Sequence, residues 1–541
     1  MFINIVNTNI QDSILKKIPM SDTFITSKKS DSDANAPITA ARTASTYVTS
    51  KSYLRIAIAL MLSAATVSTY ASATDGEDDR NANAVVDVNA PIRALSTLSS
   101  LTNVKPLQLT VPDIEHFKTA TGVPVLFVRT TTLPIIDIDL RFNAGSARDE
   151  SIRPQGFGVA NMTATMLTQG SETLDEDEFT RAVETLGISL DSSAYKDMFI
   201  VSLRSLSDDK HALPAIDLMT QMLTTPNFDE TILARNKARL LVGLQQQKQD
   251  PNSLASLAFD KALYGNHPYG HPVSGSLESV PSISKHDLVS FKNRYIVANN
   301  ASLSMTGNLT LKQAKQLAET ITADLPLGKA ASPLPEPQPL AKGQRIHIPF
   351  PSTQTTVLMG QLGEKRATNP IAQQQQTNFA VGNDILAGGD FNARLMTQIR
   401  QNLGYTYGIS GSMTPMLARG PYQIGFSTRN EKARLAVDAS LKVISDTLKE
   451  GVTESELQLT TDNLKNSFPM SFASNAGING LLGMMNFYKL PDSYLSDYMT
   501  RINRVELSSV NQTMRDTLNP DKFLIVTVGE DDPWNKSKAK K

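Results

Sequence analysis

Cysteine is absent from all 541 residues. That excludes disulfides, thiolate metal sites, a cysteine nucleophile and a lipid-anchoring cysteine. Histidine is scarce, six in all, and tryptophan occurs once. An excess of one charge is missing too. Lys and Arg number 52 against 53 Asp and Glu, a net charge of -1, which gives no footprint for nucleic acid. With 40% hydrophobic and 19% charged residues, the composition is that of an ordinary globular protein of two or more domains.

Long apolar runs are also missing, except for IAIALMLSAATV at 56–67. Lys51 and Arg55 flank its start, and Ala71-Ser72-Ala73 follows as a small-x-small pattern before the polar TDGEDDR. This reads as a bacterial-type secretory signal cleaved after Ala73, which predicts a periplasmic protein. A single membrane anchor is the alternative, and an uncleaved signal would give membrane attachment. The polar stretch ahead of the run is longer than a signal's n-region needs. Residues 1–73 thus read as an N-terminal extension and signal, and the polar, acidic 74–110 as a flexible lead-in.

From 111 the pattern becomes globular. Apolar segments at 125–128 and 135–140 read as strands. A helix is expected over 156–167, and Thr173-x-x-Glu176 reads as a capping box opening the next. A strand at 200–206, a helix at 211–223 and a long polar helix at 231–248 follow. The proline-rich 325–344 reads as an extended connector, RIHIPF from 345 as the next strand, and 533–541 as a basic tail. Gln245–Gln247 and Gln373–Gln376 read as solvated helix faces.

The two long units repeat one another. Met166-Leu167 and Gly170 recur as Ile385-Leu386 and Gly389, 219 residues on. Leu186-Gly187 recurs as Leu403-Gly404, 217 residues on, and both lead into strands. These offsets predict an α+β fold of two homologous domains, 111–324 and 345–532, each a mostly antiparallel sheet with helices on one face.

The stretch NDILAGGDFNARLMTQIRQNLGYTYGISGSM, from Asn383, holds the candidate functional residues. It reads as a helix over 391–402 ending before Gly404, then a strand along which Tyr405, Tyr407 and Ile409 alternate. Arg400 in the last helical turn and Tyr407 on the strand both donate hydrogen bonds and can share one wall. A cation there also complements the helix dipole with no other role, and a strand tyrosine also serves as core or rim.

This segment resembles the second half of zinc peptidases of the pitrilysin/insulinase family. The resemblance extends over most of 111–530. It implies that Arg400 and Tyr407 hold the scissile carbonyl of a peptide substrate, aided where the chemistry develops an oxyanion. It also implies an H-x-x-E-H zinc motif in the first half. Asn161, Ala164 and Thr165 of NMTAT stand where the two histidines and the glutamate belong. The family's third ligand is a glutamate on the long central helix, where Gly243 and Leu244 stand, with no carboxylate until Asp250. None of these replacements can ligate zinc as an imidazole does or take a proton at neutral pH. His267 and His271, in NHPYGHP, have helical i,i+4 spacing, but Pro268, Gly270 and Pro272 break any helix there.

No metal or other cofactor is therefore expected in this chain. The resemblance implies a non-zinc-binding, co-catalytic subunit of a periplasmic two-chain peptidase. A homologous partner would bring the zinc, and the two chains would enclose a peptide chamber. The alternative is an inert scaffold or peptide-binding protein of the same family. An autonomous peptidase lacks any other ligand set or nucleophile–base grouping.

Overall fold

A computed structural model describes residues 111–535. The expected signal, lead-in and most of the basic tail lie outside the described residues. The first sheet contains β1 (Glu115–Lys118), β2 (Pro124–Arg129), β3 (Ile135–Phe142), β4 (Ser189–Ala194), β5 (Phe199–Leu206) and β6 (Ala301–Gly307), in the order β1-β2-β6-β3-β5-β4. Helices α1 (Val159–Leu167) and α2 (Glu176–Leu186) follow β3. After β5 come α3 (Asp209–Thr224), α4 (Glu230–Gln247), α5 (Pro251–Tyr264) and α6 (Lys285–Tyr295), and α7 (Leu311–Ala323) follows β6.

The second sheet contains β7 (Gln344–Pro349), β8 (Gln354–Leu362), β9 (Thr406–Met413), β10 (Pro421–Arg429) and β11 (Leu524–Gly529), in the order β7-β11-β8-β10-β9. Its helices are α8 (Pro370–Ala387), a π-helix (Met396–Asn402), α9 (Ala433–Glu450), α10 (Glu454–Ser467), α11 (Asn475–Phe487) and α12 (Leu507–Thr517). No helix among the described residues is long and apolar enough to cross a membrane.

The two sheets share one topology. Strands β2 to β6 match β7 to β11 one for one, each set with a single parallel pair, β2 with β6 and β11 with β7. The other pairings are antiparallel. The offsets in the sequence have a conformational cause. Gly170 and Gly389 have φ of +113° and +92°, and Gly187 and Gly404 have +62° and +60°. Each turn needs a left-handed residue, which glycine supplies at least cost.

Each sheet packs its own helices on one face, as expected. The other face is covered by a helix from the opposite half. Leu126 and Val128 of β2 pack under Leu481, Leu482 and Met485 of α11. Leu524, Val526 and Val528 of β11 pack under Ala255, Phe259 and Leu263 of α5. Full burial of such aliphatic side chains contributes about 1.5–3 kcal/mol apiece. Polar groups fix the register of α11: Asn486 Nδ2 donates to the carbonyls of Pro124 (3.0 Å) and Leu303 (2.8 Å). The exchange of helices interlocks the halves.

The connector between the sheets has no helix or strand from 326 to 343. It is nonetheless fastened. Ala298 N donates to Pro326 O at 2.9 Å, and His267 Nε2 to Pro335 O at 2.8 Å. A buried polar knot joins the halves again: Asp197 accepts from Leu417 N (2.9 Å) and Tyr269 Oη (3.2 Å).

Several local expectations need correction. α1 begins at Val159 rather than 156, because Gly158 turns with φ of +96°. The capping box is Asp175 with Glu178, not Thr173 with Glu176. The Thr173 hydroxyl is committed to Gln221 Oε1 at 2.7 Å. Gln245–Gln247 are exposed as read, but Gln373 is buried, because α8 turns that face inward.

Candidate functional site

The expected zinc positions lie on α1 and α4. Asp149 sets α1 in place: its carboxylate oxygens accept from Gly158 N and Ala160 N, both at 2.8 Å. Burial pushes the Asp149 carboxyl up to about 8, and these two bonds pull against that rise. A side chain at Gly158 would meet Ser274 O at 3.0 Å, so the α1 entrance is closed tightly.

On this helix Asn161 is half-buried, Ala164 is buried and Thr165 is exposed. The Thr165 hydroxyl donates to Asn161 O at 3.0 Å, within its own helix. Helix α4 packs alongside, with Asn236 Nδ2 3.3 Å from Gln169 Oε1. A Cβ added at Gly243 would meet nothing within 4 Å. Asp250 caps α5 through Ser253 N at 2.8 Å. His267 is bound to Pro335, and His271 stacks on Phe157 at 3.9 Å. Among the described residues, no three His, Asp or Glu side chains gather to hold a metal. The donors that zinc requires are not on this surface, so the residues present do not fit the metal.

Arg400 and Tyr407 stand at the edge of the second sheet. After Gly389, residues 390–393 turn, and a helix starting at Arg394 widens into the π-helix. The helical span expected from 391 therefore starts later. Leu403 N reaches back to Gln398 O at 3.1 Å, the five-residue spacing of a π-turn. Leu395, Met396 and Ile399 are buried, and Arg400 is half-buried. The Arg400 guanidinium lies 4.6 Å from the ring centre of Phe391, which is itself exposed. The loop carrying Phe391 is held by Gln401 Nε2, which donates to Phe391 O at 2.8 Å.

Tyr407 is 88% exposed. Tyr405, Tyr407 and Ile409 were expected to share a face, and they do not: Ile409 is buried. Ile409 pairs with Phe426 but Thr406 with Thr428, so Tyr407 and Gly408 both oppose Ser427. One extra residue reverses the alternation. Among the described residues, no hydrogen bond or ion pair engages the Arg400 guanidinium or the Tyr407 hydroxyl. Neither donor is spent on another described residue.

The π-helix is anchored by a residue without a sequence signal of its own. Arg394 Nε and Nη2 each contact Glu456 at 2.7 Å, and Nη2 also donates to Gly451 O at 3.0 Å. Glu456 closes a capping box with Thr453 as well. Burial raises the Glu456 pKa, but the bonds from Arg394 and Thr453 outweigh it and hold the carboxyl down at about 2. Glu456→Gln is expected to lower stability by about 2 kcal/mol at pH 7, read by urea denaturation. The depressed pKa makes this contribution full above the ordinary value of 4.5, and it is lost as pH falls toward about 2. Wild type and variant should therefore converge in acid.

The two half-sites are built on different sheets of one chain. α1 packs against β4, the edge of the first sheet, and the π-helix against β9, the corresponding edge of the second.

Residues 125–276 match the insulinase family (peptidase family M16), and residues 282–464 match the domain described as the peptidase M16 inactive domain. A solved structure described as a peptidase M16 inactive domain from Pseudomonas fluorescens superposes with a TM-score of 0.73 at 38% identity, covering 78% of this chain and 98% of that one. A Helicobacter pylori protein named a non-peptidase homolog, YmxG, is 24% identical over 75% of this chain and 92% of its own length. A Bacillus subtilis protein named an uncharacterized zinc protease, also YmxG, is 20% identical over 76% of this chain and 97% of its own. Sequence, topology and the solved relative agree: this chain belongs to the M16 (insulinase) family of peptidases.

Proposed function

We propose that this chain is a non-zinc-binding, co-catalytic subunit of a two-chain zinc peptidase acting on peptides in the periplasm. One observation carries the reading. Among the described residues Arg400 and Tyr407 present unengaged donors at a sheet edge, while Asn161, Thr165 and the Gly243-Leu244 pair stand where metal ligands would be. A homologous partner with an intact H-x-x-E-H would contribute the metal and the general base. This chain would close the chamber, pair an edge strand with an extended peptide, and hold the scissile carbonyl through Arg400 and Tyr407. The separation of the two half-sites on different sheets supports completion in trans.

The second reading is an inert scaffold or peptide-binding protein. The names of the Pseudomonas and Helicobacter relatives, an inactive domain and a non-peptidase homolog, favour it.

Purification of the tagged chain from its own cells separates them. The leading reading predicts a co-purifying M16 protein with intact H-x-x-E-H, and peptide cleavage that a chelator abolishes. Intact complexes that cleave no peptide would establish the scaffold instead.

A further inference from the structure

The extra residue in β9 carries an inference that rests on the reading of Tyr407 as a carbonyl donor. Along β9, Ile409, Gly411 and Met413 are buried, while Ser410 and Ser412 are exposed. Continued toward the start of the strand, that alternation would bury Tyr407. Instead Thr406 is buried and Tyr407 faces solvent. A bulge of this kind leaves ladder groups without strand partners. Here one hydroxyl takes them over. Thr406 Oγ1 accepts from Gly408 N at 3.2 Å, and lies 2.7 Å from Ser427 O and 2.9 Å from Gly408 O, either of which takes its proton. Beside it, Thr428 Oγ1 donates to Tyr405 O at 2.6 Å, which closes the ladder where β9 begins.

We infer that Thr406 is a positioning residue, whose hydroxyl holds the bulge that turns Tyr407 out of the packed face of the second sheet. The shape of the side chain does not suffice. Valine has the same outline but can neither accept from Gly408 N nor donate to a carbonyl. Without those bonds the bulged backbone loses its specific partners. Regular pairing, which draws Tyr407 toward the buried face, then competes with it.

The absence of cysteine makes the test direct, since Tyr407→Cys introduces the single thiol of the chain. Its rate of maleimide labelling reports exposure at 407. Adding Thr406→Val is expected to slow labelling by about tenfold, and Thr406→Ser in its place to keep it within about twofold of the parent. Circular dichroism establishes that each variant is folded. Should Thr406→Val not fold, Thr406→Ala is read against the same criterion. Labelling unchanged by loss of the hydroxyl would overturn the inference.

A second readout keeps Tyr407 intact. In the assembled two-chain peptidase, Thr406→Val should lower kcat by about tenfold with little change in KM, and Thr406→Ser should restore it. Slowed labelling with undiminished kcat would support the bulge and overturn the catalytic reading of Tyr407. The two failures are thereby distinguished.

Discussion

On the proposed co-catalytic reading, Arg400→Ala is expected to lower peptide turnover by the assembled pair by about 10²–10³-fold, or about 3–4 kcal/mol of transition-state stabilisation. The size follows from the state of the side chain. Among the described residues the guanidinium spends none of its donors on the protein, and Phe391 only stacks beneath it. Its hydrogen bonds are therefore free for the carbonyl as that oxygen gains charge. The loss should fall on kcat and kcat/KM together, since the interaction strengthens in the transition state. Arg400→Lys keeps the charge but loses the planar fork, and recovers only part of the rate. Tyr407→Phe removes a hydroxyl without partners and should cost about tenfold or more. Stability is a separate matter. Tyr407 is 88% exposed, so its loss should move stability by no more than about 0.5 kcal/mol. Arg400→Ala forfeits the stacking on Phe391, about 0.5–1 kcal/mol. Steady-state assays of the complex, beside urea denaturation of the lone chain, check both expectations. Full activity in a complex with Arg400→Ala would remove the co-catalytic role.

A chain with Asn161→His, Thr165→His and Gly243→Glu is expected to gain a zinc site, where the described residues of the wild type offer no ligand set. Positions 161 and 165 are four apart on α1, so two imidazoles share one helix face. Asn161 is half-buried and Thr165 exposed, which leaves room for the larger rings. The third ligand comes from α4, where a Cβ at Gly243 meets nothing within 4 Å. A glutamate there also improves the helix by about 0.5–1 kcal/mol over glycine. Three ligands on capped, mutually packed helices should bind zinc with a Kd of about 1 μM or tighter, about 8 kcal/mol. Ala164 is buried and stays as it is, so no general base is added and the variant should bind metal without cleaving peptide. Calorimetric titration with zinc reads the result. A folded triple variant that binds no zinc would mean that α1 and α4 do not present these positions to one another.

Much of the fold is legible in the sequence because the turns are chemically demanding. Gly170, Gly187, Gly389 and Gly404 all adopt left-handed backbone, so the duplicated unit leaves glycines at near-constant offsets. The lack of imidazoles at 161 and 165 is plain from the sequence itself, since neither the Asn161 amide nor the Thr165 hydroxyl ligates zinc as an imidazole does. Other features leave no local trace. α5 and α11 have the apolar pattern of covering helices, but nothing in that pattern says which sheet each one covers. The bulge at Tyr407 and Gly408 is one residue without a signature, and it reverses the face that simple alternation assigns to Tyr407. Thr173 and Asp175 each begin a capping-box pattern, and only the contact of Thr173 with Gln221 decides between them. Arg394 looks like any helical arginine until α10 brings Glu456 against it. Local chemistry is written in the sequence, while partners distant along the chain are set by packing.

The most direct measurement is the zinc content and peptide turnover of the wild-type chain, made alone in a foreign host. The expected result is folded protein with less than about 0.1 equivalent of zinc and no chelator-sensitive cleavage, because the surface of α1 and α4 offers no ligand set. Stoichiometric zinc together with cleavage that a chelator abolishes would contradict this, and would place a complete active site within the single chain.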